Sequence, residues 1–425
     1  MKFAICNLGC KVNNYEANWY RQQLAEKYEE TDFKNFSDIY IINTCTVTNM
    51  AGSKSRQMIH KARKMNKDSC IVAVGCYVQT EKNDLSVFDD CDIVIGSKYK
   101  TLLPQLIDDY FINKKKIFMV EDFQTTPFEE MFIRNFNQVR AYLKIQDGCN
   151  QFCSYCVIPF ARGRERCLSL PLVLKQARQL VDSGHPELVL TGIHTGRWHD
   201  GEYDLADLIE TILKEVKNLQ RIRISSIEVT EVSNKLIDLI AENSKIAHHL
   251  HIPLQTGSDT LLKDNNRPYD TAYYYDKIQK IRKRIPDISI SSDVIVGLPN
   301  ETEAYFRQTE QFINKCQLSF LHVFPYARKK YTADYYKKEQ VEENVKHQRV
   351  GSLTKLSTQL YNTYAGIFIG KEVEVLFEKK EDDFYVGHCS QYLVVKVKSE
   401  ADITNQMGKV FVEKNEGEVL FGNLI

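Results

Sequence analysis

The chain has 425 residues with 56 basic and 56 acidic side chains, so its formal net charge is zero. This length allows two or three domains, and a hydrophobic content of 43% is ordinary for a globular protein. The neutral balance excludes a chain-wide basic footprint for nucleic acid. The N-terminus has no long apolar run, so we expect a cytoplasmic protein without signal peptide or membrane span. In that setting the 12 cysteines indicate metal binding or catalysis rather than disulfides.

The first third of the chain alternates predicted strands and helices. The strands are predicted at residues 2–6, 38–43, 71–74 and 92–95. Residues 9–16 are predicted to form a turn that opens a first helix. A second helix is predicted from about 53 to 65. This alternation predicts an open parallel α/β sheet with helices on its faces. Ligands of such sheets bind beyond the carboxyl ends of the strands.

Cys10, Cys45 and Cys76 each follow a predicted strand of this sheet. They are far apart in sequence, but the topology brings all three to one sheet edge, where they could bind a metal centre. The alternative is that they are small residues at tight turns. The cysteines to which we give that second interpretation are Cys6, Cys70 and Cys91.

Cys149, Cys153 and Cys156 are spaced CxxxCxxC directly after a strand predicted at 139–145. Three thiolates within eight residues can bind a cubane iron–sulfur cluster and leave one iron open to a small molecule. A structural zinc site needs four ligands, and no fourth Cys or His lies close by in sequence. The alternative is three unrelated buried thiols. A loop that follows a barrel strand lies where α/β barrels place their chemistry.

The CxxxCxxC motif resembles that of the radical S-adenosylmethionine (radical SAM) superfamily. The resemblance implies that the open iron binds SAM and that cluster electrons cleave it to a 5′-deoxyadenosyl radical. It also implies that Tyr155, before the last cysteine, lies beside the adenine of SAM.

The middle of the chain predicts a barrel of strand–helix repeats. Together with 139–145, strands are predicted at 187–191, 221–225, 249–253, 289–296 and 320–324. Six repeats are too few to close like an eight-stranded barrel, so we expect a partial, open (βα)6 barrel. An open side suits a macromolecular substrate.

Polar residues follow these strands, and the resemblance implies that they line the SAM pocket. They are Thr191, Gly192, Ser226, Glu228, Gln255 and Gly297. For each of them an ordinary polar loop residue is the alternative. His249 and His251 share a strand face and are interpreted as pocket or core histidines rather than ligands. The charged run 162–166 is either near cofactor and substrate or a solvated surface.

The end of the chain alternates apolar and polar residues from 370 onward, which predicts a small β-barrel. It resembles a TRAM domain, a tRNA-binding module. Residues 371–425 carry 7 basic and 11 acidic side chains, so the expected basic footprint is missing there. Residues 51–67 carry six basic side chains and no acid. We expect that helix to share phosphate contacts, with a solvated face as the alternative.

Three cysteine motifs together resemble those of the methylthiotransferase family over nearly the whole chain. They are Gly-Cys-Lys-Val-Asn at 9–13, Asn-Thr-Cys-Thr-Val-Thr at 43–48 and Gly-Cys-Tyr at 75–77. The resemblance implies two 4Fe–4S clusters, one on Cys10, Cys45 and Cys76 and one on the CxxxCxxC loop. It also implies an N-terminal cluster domain (1–125), a radical SAM core (126–365) and a TRAM-like barrel (366–425).

The first two motifs resemble the branch that acts on N6-threonylcarbamoyladenosine in tRNA. The resemblance implies conversion of this nucleoside, beside the anticodon, to its 2-methylthio derivative, with one SAM as methyl donor and another as radical source. The alternatives are isopentenyladenosine tRNA or a ribosomal protein as substrate, or a non-catalytic metal-cluster RNA-binding protein. Implied partners are the tRNA anticodon stem-loop and an electron donor such as flavodoxin or ferredoxin; the sulfur donor stays unidentified.

The chain departs from the family pattern after residue 326. The family usually has a Ser, an Arg and a Gly-Thr there, whereas this chain has Ala-Arg-Lys-Lys-Tyr-Thr at 327–332. This departure bears on how the substrate is held rather than on the radical chemistry.

Overall fold

The structure is a computed structural model that describes residues 1–122 and 125–425. The chain forms two compact units that are interleaved along the sequence. The first contains Met1–Arg134, Gln146–Leu168 and Ala327–Tyr336. The second contains Asn135–Ile145, Ser169–Tyr326 and Lys337–Ile425. Both cysteine triads therefore belong to the first unit.

The first unit is built on a six-stranded parallel sheet, as the alternating pattern predicts. Its strands are β1 (Lys2–Asn7), β2 (Glu29–Glu30), β3 (Ile39–Thr44), β4 (Cys70–Gly75), β5 (Ile93–Ile95) and β6 (Ile117–Met119). Their order in the sheet is β2-β1-β3-β4-β5-β6. The helices are α1 (Lys11–Leu24), α2 (Asn49–Met65), α3 (Cys76–Thr80) and α4 (Leu103–Asn113). The edge strands β2 and β6 were not predicted, because two or three residues are too few to show a period.

The central strands β3 and β4 are buried along their whole length, which explains their continuous apolar sequence. Helices begin almost at once beyond them. The α2 helix is capped by Thr48, whose side chain accepts a hydrogen bond from the backbone N–H of Ala51. The α3 helix begins at Cys76, directly after β4 ends. The carboxyl edge of the sheet is thus formed by short turns that carry cysteines.

The CxxxCxxC loop lies between two short strands of the first unit. The chain first forms β7 (Arg140–Lys144) in the second unit. It then forms β8 (Gln146–Asp147), α5 (Ile158–Arg162) and β9 (Arg166–Cys167). Strands β8 and β9 pair antiparallel and close the cysteine loop at its base.

The second unit contains the predicted partial barrel. Its further strands are β10 (Glu187–Thr191), β11 (Arg221–Ile224), β12 (His249–His251), β13 (Ser289–Val296) and β14 (Phe320–Pro325). Its helices are α6 (Leu170–Asp182), α7 (Leu205–Glu215), α8 (Asn234–Glu242), α9 (Asp259–Asp264), α10 (Thr271–Arg284), α11 (Glu303–Cys316) and α12 (Glu343–Gly366). The parallel sheets β11-β10-β7 and β12-β13-β14 are linked by isolated bridges, Ile222 to Ile246 and Ser226 to His251. The prediction of a partial, open barrel with six parallel strands is therefore confirmed for the second unit.

The C-terminal segment forms a closed five-stranded barrel, which confirms the predicted small β-barrel. Its strands are β15 (Glu372–Glu381), β16 (Phe384–Cys389), β17 (Val394–Val397), β18 (Met407–Glu416) and β19 (Val419–Leu424). The order is β15-β16-β17-β19-β18. Its core includes the fully buried side chains of Val375, Val395, Val410 and Leu420.

Buried arginines of β11 join the open barrel to the closed one. The Nε of Arg223 lies 2.8 Å from Glu187 Oε1, and its terminal nitrogens donate to the carbonyls of Cys389 and Ser390. The Nη1 of Arg221 lies 3.3 Å from Glu187 Oε2. Burial raises the pKa of Glu187, but Arg223 and Arg221 outweigh it and hold that pKa at about 2. Glu187 therefore stays ionised and neutralises the cations that hold the closed barrel.

Replacing Glu187 by Gln leaves buried guanidinium groups without their counter-charge. We expect the free energy of unfolding at pH 7 to fall by about 3 kcal/mol, measured by urea unfolding. A depressed folded-state pKa stabilises fully above the unfolded-state pKa, near about pH 4.5 for Glu. That stabilisation is lost as the pH falls towards 2, so the difference between wild type and Glu187→Gln should shrink over that range.

Glu215→Gln is the matched control on the same unit. Glu215 pairs with Arg178 at 2.9 Å, but the two side chains are 43% and 47% exposed. An exposed pair contributes little, so the change should stay within about 0.5 kcal/mol. Equal losses in both variants would contradict a special role of Glu187.

Candidate metal and cofactor site

Two buried asparagines fix the turns that carry the first two cysteine motifs. Asn13 Nδ2 donates to Asn43 Oδ1 at 3.2 Å and to the carbonyl of Thr44 at 3.0 Å. Asn43 Nδ2 returns a bond of 2.8 Å to the carbonyl of Asn13. Since a buried amide is costly without partners, these reciprocal bonds explain why both motifs carry Asn. They hold together the turns that carry Cys10 and Cys45, which lie three and two residues away from these asparagines.

Glycines allow the same turns to approach closely. Gly75 has φ +110°, and a Cβ there would lie 2.9 Å from Asn43 Oδ1 and from the carbonyl of Thr44. A Cβ on Gly9 would lie 2.4 Å from the side chain of Asn13. Larger residues would therefore push the turns of Cys10 and Cys76 away from the two asparagines.

The thiols of the first triad lie at the carboxyl edge of the sheet, as predicted from topology. Cys10 is exposed, whereas Cys45 and Cys76 are 8% and 3% exposed. Burial raises the pKa of Cys76 to about 11, and the negative charges of Cys45 and Cys10 add to that rise. The structure thus brings the three predicted side chains into one electrostatic neighbourhood with mostly buried sulfur atoms, which suits binding of a thiolate-ligated cluster.

Arg162 is the cation of this neighbourhood, and its side chain is only 1% exposed. Its Nε lies 3.2 Å from Cys76 Sγ, and its Nη2 lies 2.8 Å from Asn13 Oδ1. Its Nη1 lies 3.0 Å from Glu16 Oε1 and 3.1 Å from Asp147 Oδ1. The interpretation of 162–166 as a solvated surface is therefore wrong for Arg162. Within the run, Arg164 is the exposed residue, and Glu165 and Arg166 are partly buried.

Glu16, Asp147 and Lys100 complete the buried charge network, although no pattern in the sequence predicts them as site residues. Lys100 Nζ lies 2.6 Å from Glu16 Oε1 and 3.4 Å from Glu129 Oε2. Carboxylate oxygens of Glu16, Glu129 and Asp147 all lie within 4.8 Å of one another. Because Lys100, Arg162 and Arg166 neutralise them, this trio is a structural ion cluster. No sequence motif predicts this ion cluster, because nothing in the helical sequence of α1 distinguishes the buried Glu16 from a surface glutamate.

The second triad lies on a loop whose backbone is tied to the run that follows it. The N–H of Cys149 donates to the carbonyl of Gly163 at 3.1 Å, and the N–H of Cys156 donates to that of Cys153 at 2.9 Å. Gly148 has φ +73°, and a Cβ there would lie 2.0 Å from the carbonyl of Arg164. The N–H of Gln151 points at Cys149 Sγ, 3.4 Å away. Three thiol donors in one compact turn, with a backbone N–H aimed at sulfur, fit an iron–sulfur cluster. Tyr155 is placed on this loop, half-buried.

The residues predicted for the SAM pocket on the second unit all follow the carboxyl ends of its strands. Thr191 ends β10 and is buried, and Gly192 follows it. Ser226 forms the bridge to His251 after β11. Glu228 forms an ion pair with Arg267. These residues share one edge of the open barrel, which is where such barrels place their chemistry.

Gln255 and Gly297 both occupy left-handed backbone conformations. Gln255 has φ +68°, and Gly297 has φ +76°. A Cβ on Gly297 would lie 2.3 Å from Lys346, so the tight turn requires glycine. The N–H of Gly297 donates to Glu301, which is held by Arg349 at 2.6 Å. This turn is rigid and lies directly after β13.

The two strand histidines have neighbours typical of a core. His249 is 5% exposed and stacks on Tyr392 with ring centroids 4.8 Å apart. His251 Nε2 lies 3.1 Å from Asp293.

The basic helix α2 is not uniformly solvated. Arg63 lies 2.6 Å from Asp92 and donates to the carbonyls of Asp90 and Ser69. Lys54, Lys61 and Lys64 are exposed or partly exposed. Arg63 is thus a structural residue, whereas Lys54, Lys61 and Lys64 form no ion pair with any described carboxylate and can meet phosphates.

Two family matches cover most of this architecture. Residues 143–313 match the Radical SAM superfamily. Residues 2–96 match a family described as Uncharacterized protein family UPF0004. The second match spans strands β1 to β5 and the turns that carry Cys10, Cys45 and Cys76.

Relatives match nearly the whole chain. It is 40% identical over 430 residues to Threonylcarbamoyladenosine tRNA methylthiotransferase MtaB of Bacillus subtilis (strain 168), covering 98% of this chain and 95% of that one. It is 34% identical to the MtaB of Aquifex aeolicus (strain VF5), covering 88% and 92%. It is 29% identical to tRNA-2-methylthio-N(6)-dimethylallyladenosine synthase of Acetivibrio thermocellus, covering 100% and 91%.

Solved structures share the fold. The radical SAM methyltransferase TsrM from Kitasatospora setae, with cobalamin and a 4Fe–4S cluster bound, matches with a TM-score of 0.57 and 14% identity, covering 78% of this chain and 76% of that one. The cobalamin-dependent radical enzyme OxsB matches at 0.52 and 12%, covering 83% and 56%. Among the described residues, no helix is long and apolar enough to cross a bilayer.

Arg162 offers a test of the first triad. Replacing Arg162 by Gln removes a charge-assisted N–H···S bond to Cys76, so a cluster held there should become harder to reduce. We expect the reduction potential to fall by about 60 mV, the equivalent of a tenfold change for one electron. Redox titration followed by electron paramagnetic resonance measures it, in a background where Cys149, Cys153 and Cys156 are replaced by Ala.

Arg166→Gln is the control for this titration. Arg166 lies 3.2 Å from Asp147 and donates to the carbonyls of Arg162 and Arg164, and no described bond joins it to a cysteine. An equal shift in both variants would show that general electrostatics, and not the bond to Cys76, sets the potential.

Proposed function

The chain belongs to the MtaB-type radical SAM methylthiotransferases, and we propose that it converts N6-threonylcarbamoyladenosine beside the tRNA anticodon to its 2-methylthio derivative. The observation that carries the substrate is the 40% identity over 98% of the chain to a relative named for threonylcarbamoyladenosine. Relatives named for dimethylallyladenosine match at 29–30% identity.

The cofactors are two 4Fe–4S clusters and SAM. Bound in place, they supply the electron, radical and methyl chemistry that protein acid–base groups cannot provide. In our proposal Cys10, Cys45 and Cys76 hold one cluster, and Cys149, Cys153 and Cys156 hold the other. The proposed SAM residues are Tyr155, Thr191, Gly192, Ser226, Glu228, Gln255 and Gly297.

In this proposal, the protein groups around these sites hold the cofactors and orient them. Arg162 places a fixed positive charge at Cys76, and this favours the thiolate form that a cluster needs. The bond of Gly297 to Glu301, backed by Arg349, keeps the turn after β13 rigid. A preorganised loop of this kind costs little reorganisation when a ligand binds.

The remaining proposals concern partners and place. We propose the anticodon stem-loop as the RNA element that is bound, a flavodoxin or ferredoxin as the electron donor, and the cytoplasm as the compartment. The domains proposed are 1–125, 126–365 and 366–425, with the last as a TRAM-like tRNA-binding barrel.

Nucleoside analysis of tRNA from a deletion strain tests the function. Mass spectrometry should show loss of 2-methylthio-N6-threonylcarbamoyladenosine and accumulation of N6-threonylcarbamoyladenosine. Loss of the methylthio derivative of isopentenyladenosine instead would favour the other tRNA substrate. Unchanged tRNA would favour a protein substrate or a non-catalytic role, and zinc without sulfide in the purified protein would favour the latter.

The two cysteine triads should separate two partial activities. Under reductant and SAM, Cys45→Ala should still form 5′-deoxyadenosine but no methylthio product, because the second triad is intact. Cys153→Ala should form neither. Iron analysis should give about half the wild-type content in each triad deletion, and a Cys45→Ala enzyme that still modifies tRNA would remove the first triad from the mechanism.

The α2 lysines should contribute to tRNA affinity. Lys61→Glu combined with Lys64→Glu keeps Arg63 and its structural bonds intact. We expect weaker binding to tRNA and a flatter salt dependence, with the slope reduced by up to roughly one unit for each phosphate that the helix no longer neutralises. Filter binding at several salt concentrations measures both.

Lys115→Glu is the control, since Lys115 is exposed on the same unit after α4. If the double variant binds with the affinity and salt slope of wild type, α2 is a solvated face.

A further inference from the structure

A cavity of about 390 Å³ lies within the first unit, and the site described above does not use it. Residues next to the cysteines form part of its wall. Thr46 follows Cys45, Tyr77 follows Cys76 and Val157 follows Cys156, and all three line the cavity. The cavity is therefore lined by residues that adjoin cysteines of both triads in sequence.

The wall of this cavity carries an unneutralised positive charge. Its cations are Arg56, Arg328, Lys329 and Lys330, against a single acid, Glu81. Among the described residues, no carboxylate lies within 4.0 Å of any of these four cations, in contrast to the paired arginines elsewhere. In a chain of zero net charge, four unpaired cations around one space indicate an anionic ligand.

The two arginines of the wall are already fixed by tyrosines. Arg56 donates to the hydroxyl of Tyr77. Arg328 Nε donates to the carbonyl of Tyr335 at 2.7 Å, and its guanidinium lies 4.8 Å from the centre of that ring. Among the described residues, the Lys329 ammonium has no such partner, and the side chain is half-buried. Its ammonium is therefore the group most in need of a counter-charge.

Tyr331 supports a ligand of nucleoside size in the same place. It has φ +73°, a left-handed conformation that is strained for a non-glycine residue. Its ring lines the cavity and stacks on Phe160 at 6.0 Å. Strain kept at a cavity wall, with an aromatic ring as the result, is typical of a binding surface.

We propose that this cavity binds the carboxylate of the threonylcarbamoyl group and that Lys329 is its principal contact. The proposal rests on the proposed function. N6-threonylcarbamoyladenosine carries a carboxylate on its side chain, whereas isopentenyladenosine carries an uncharged hydrocarbon. A half-buried ammonium group would pair with the carboxylate of N6-threonylcarbamoyladenosine. Beside isopentenyladenosine its charge would stay unpaired, so Lys329 would select between the two substrates.

Three anticodon stem-loops with the same sequence test the proposal, carrying N6-threonylcarbamoyladenosine, isopentenyladenosine or plain adenosine beside the anticodon. Lys329→Gln should weaken binding of the first loop about tenfold, or about 1.4 kcal/mol, and leave the other two unchanged. Lys329→Arg keeps the charge and should restore most of the affinity. Lys115→Gln should match wild type on all three loops.

The outcomes separate the possible sources of the anion. An equal weakening on all three loops, with a reduced salt slope, would mean that Lys329 meets a backbone phosphate and would overturn the assignment. Wild-type affinities in Lys329→Gln would overturn it as well. Iron content and thermal midpoint measured beside each titration report misfolding, in which case Lys329→Met is the second variant with the same expected weakening. Failure of the proposed function shows separately, as tRNA of the deletion strain that keeps its methylthio-threonylcarbamoyladenosine.

Discussion

One buried guanidinium organises the chemistry of the first unit. Arg162 contacts Cys76 of the sheet edge, Asn13 of the first cysteine motif and Asp147 at the base of the CxxxCxxC loop. A cation taken out of water must be compensated on every side, and here Glu16 and Asp147 supply the charge. Each of these groups therefore fixes the position of the others. The sulfur of Cys76 is the one neighbour that a metal cluster would share.

The turns that carry the cysteine motifs also depend on buried polar groups that satisfy one another. Asn13 and Asn43 satisfy each other's backbone and side chain, and this is possible only where Gly75 lets the two turns meet. Strand ends at the sheet edge would otherwise diverge with the twist of the sheet. Short polar side chains thus convert three separate loops into one rigid surface for sulfur ligands. Sequence motifs built of Gly, Asn and Cys reflect that requirement.

Periodicity and spacing predicted the parallel sheet, the open six-stranded barrel and the closed C-terminal barrel, because those patterns follow from burial of continuous elements. They also brought Cys10, Cys45 and Cys76 to one edge. They did not predict the partners of charged residues. Arg162 and Arg63 looked like members of solvated runs, yet both are bound to carboxylates from distant segments. Such pairs are made by tertiary contacts, and a local pattern carries no trace of them.

A net charge of zero therefore conceals a strongly ordered distribution. Arginines such as Arg162, Arg221 and Arg223 form ion pairs with buried carboxylates and stabilise the fold. Lys61 and Lys329 have no carboxylate within 4.0 Å among the residues that the structure describes, so both are available to ligands. Arg56 and Arg328, in contrast, form no ion pair with any described carboxylate, and Lys100 is buried against Glu16, so pairing follows position in the fold and not residue type. A neutral chain can therefore still present positive charge to an RNA substrate. That charge lies on the exposed face of α2 and around the cavity beside the cysteine turns, so composition predicts neither site.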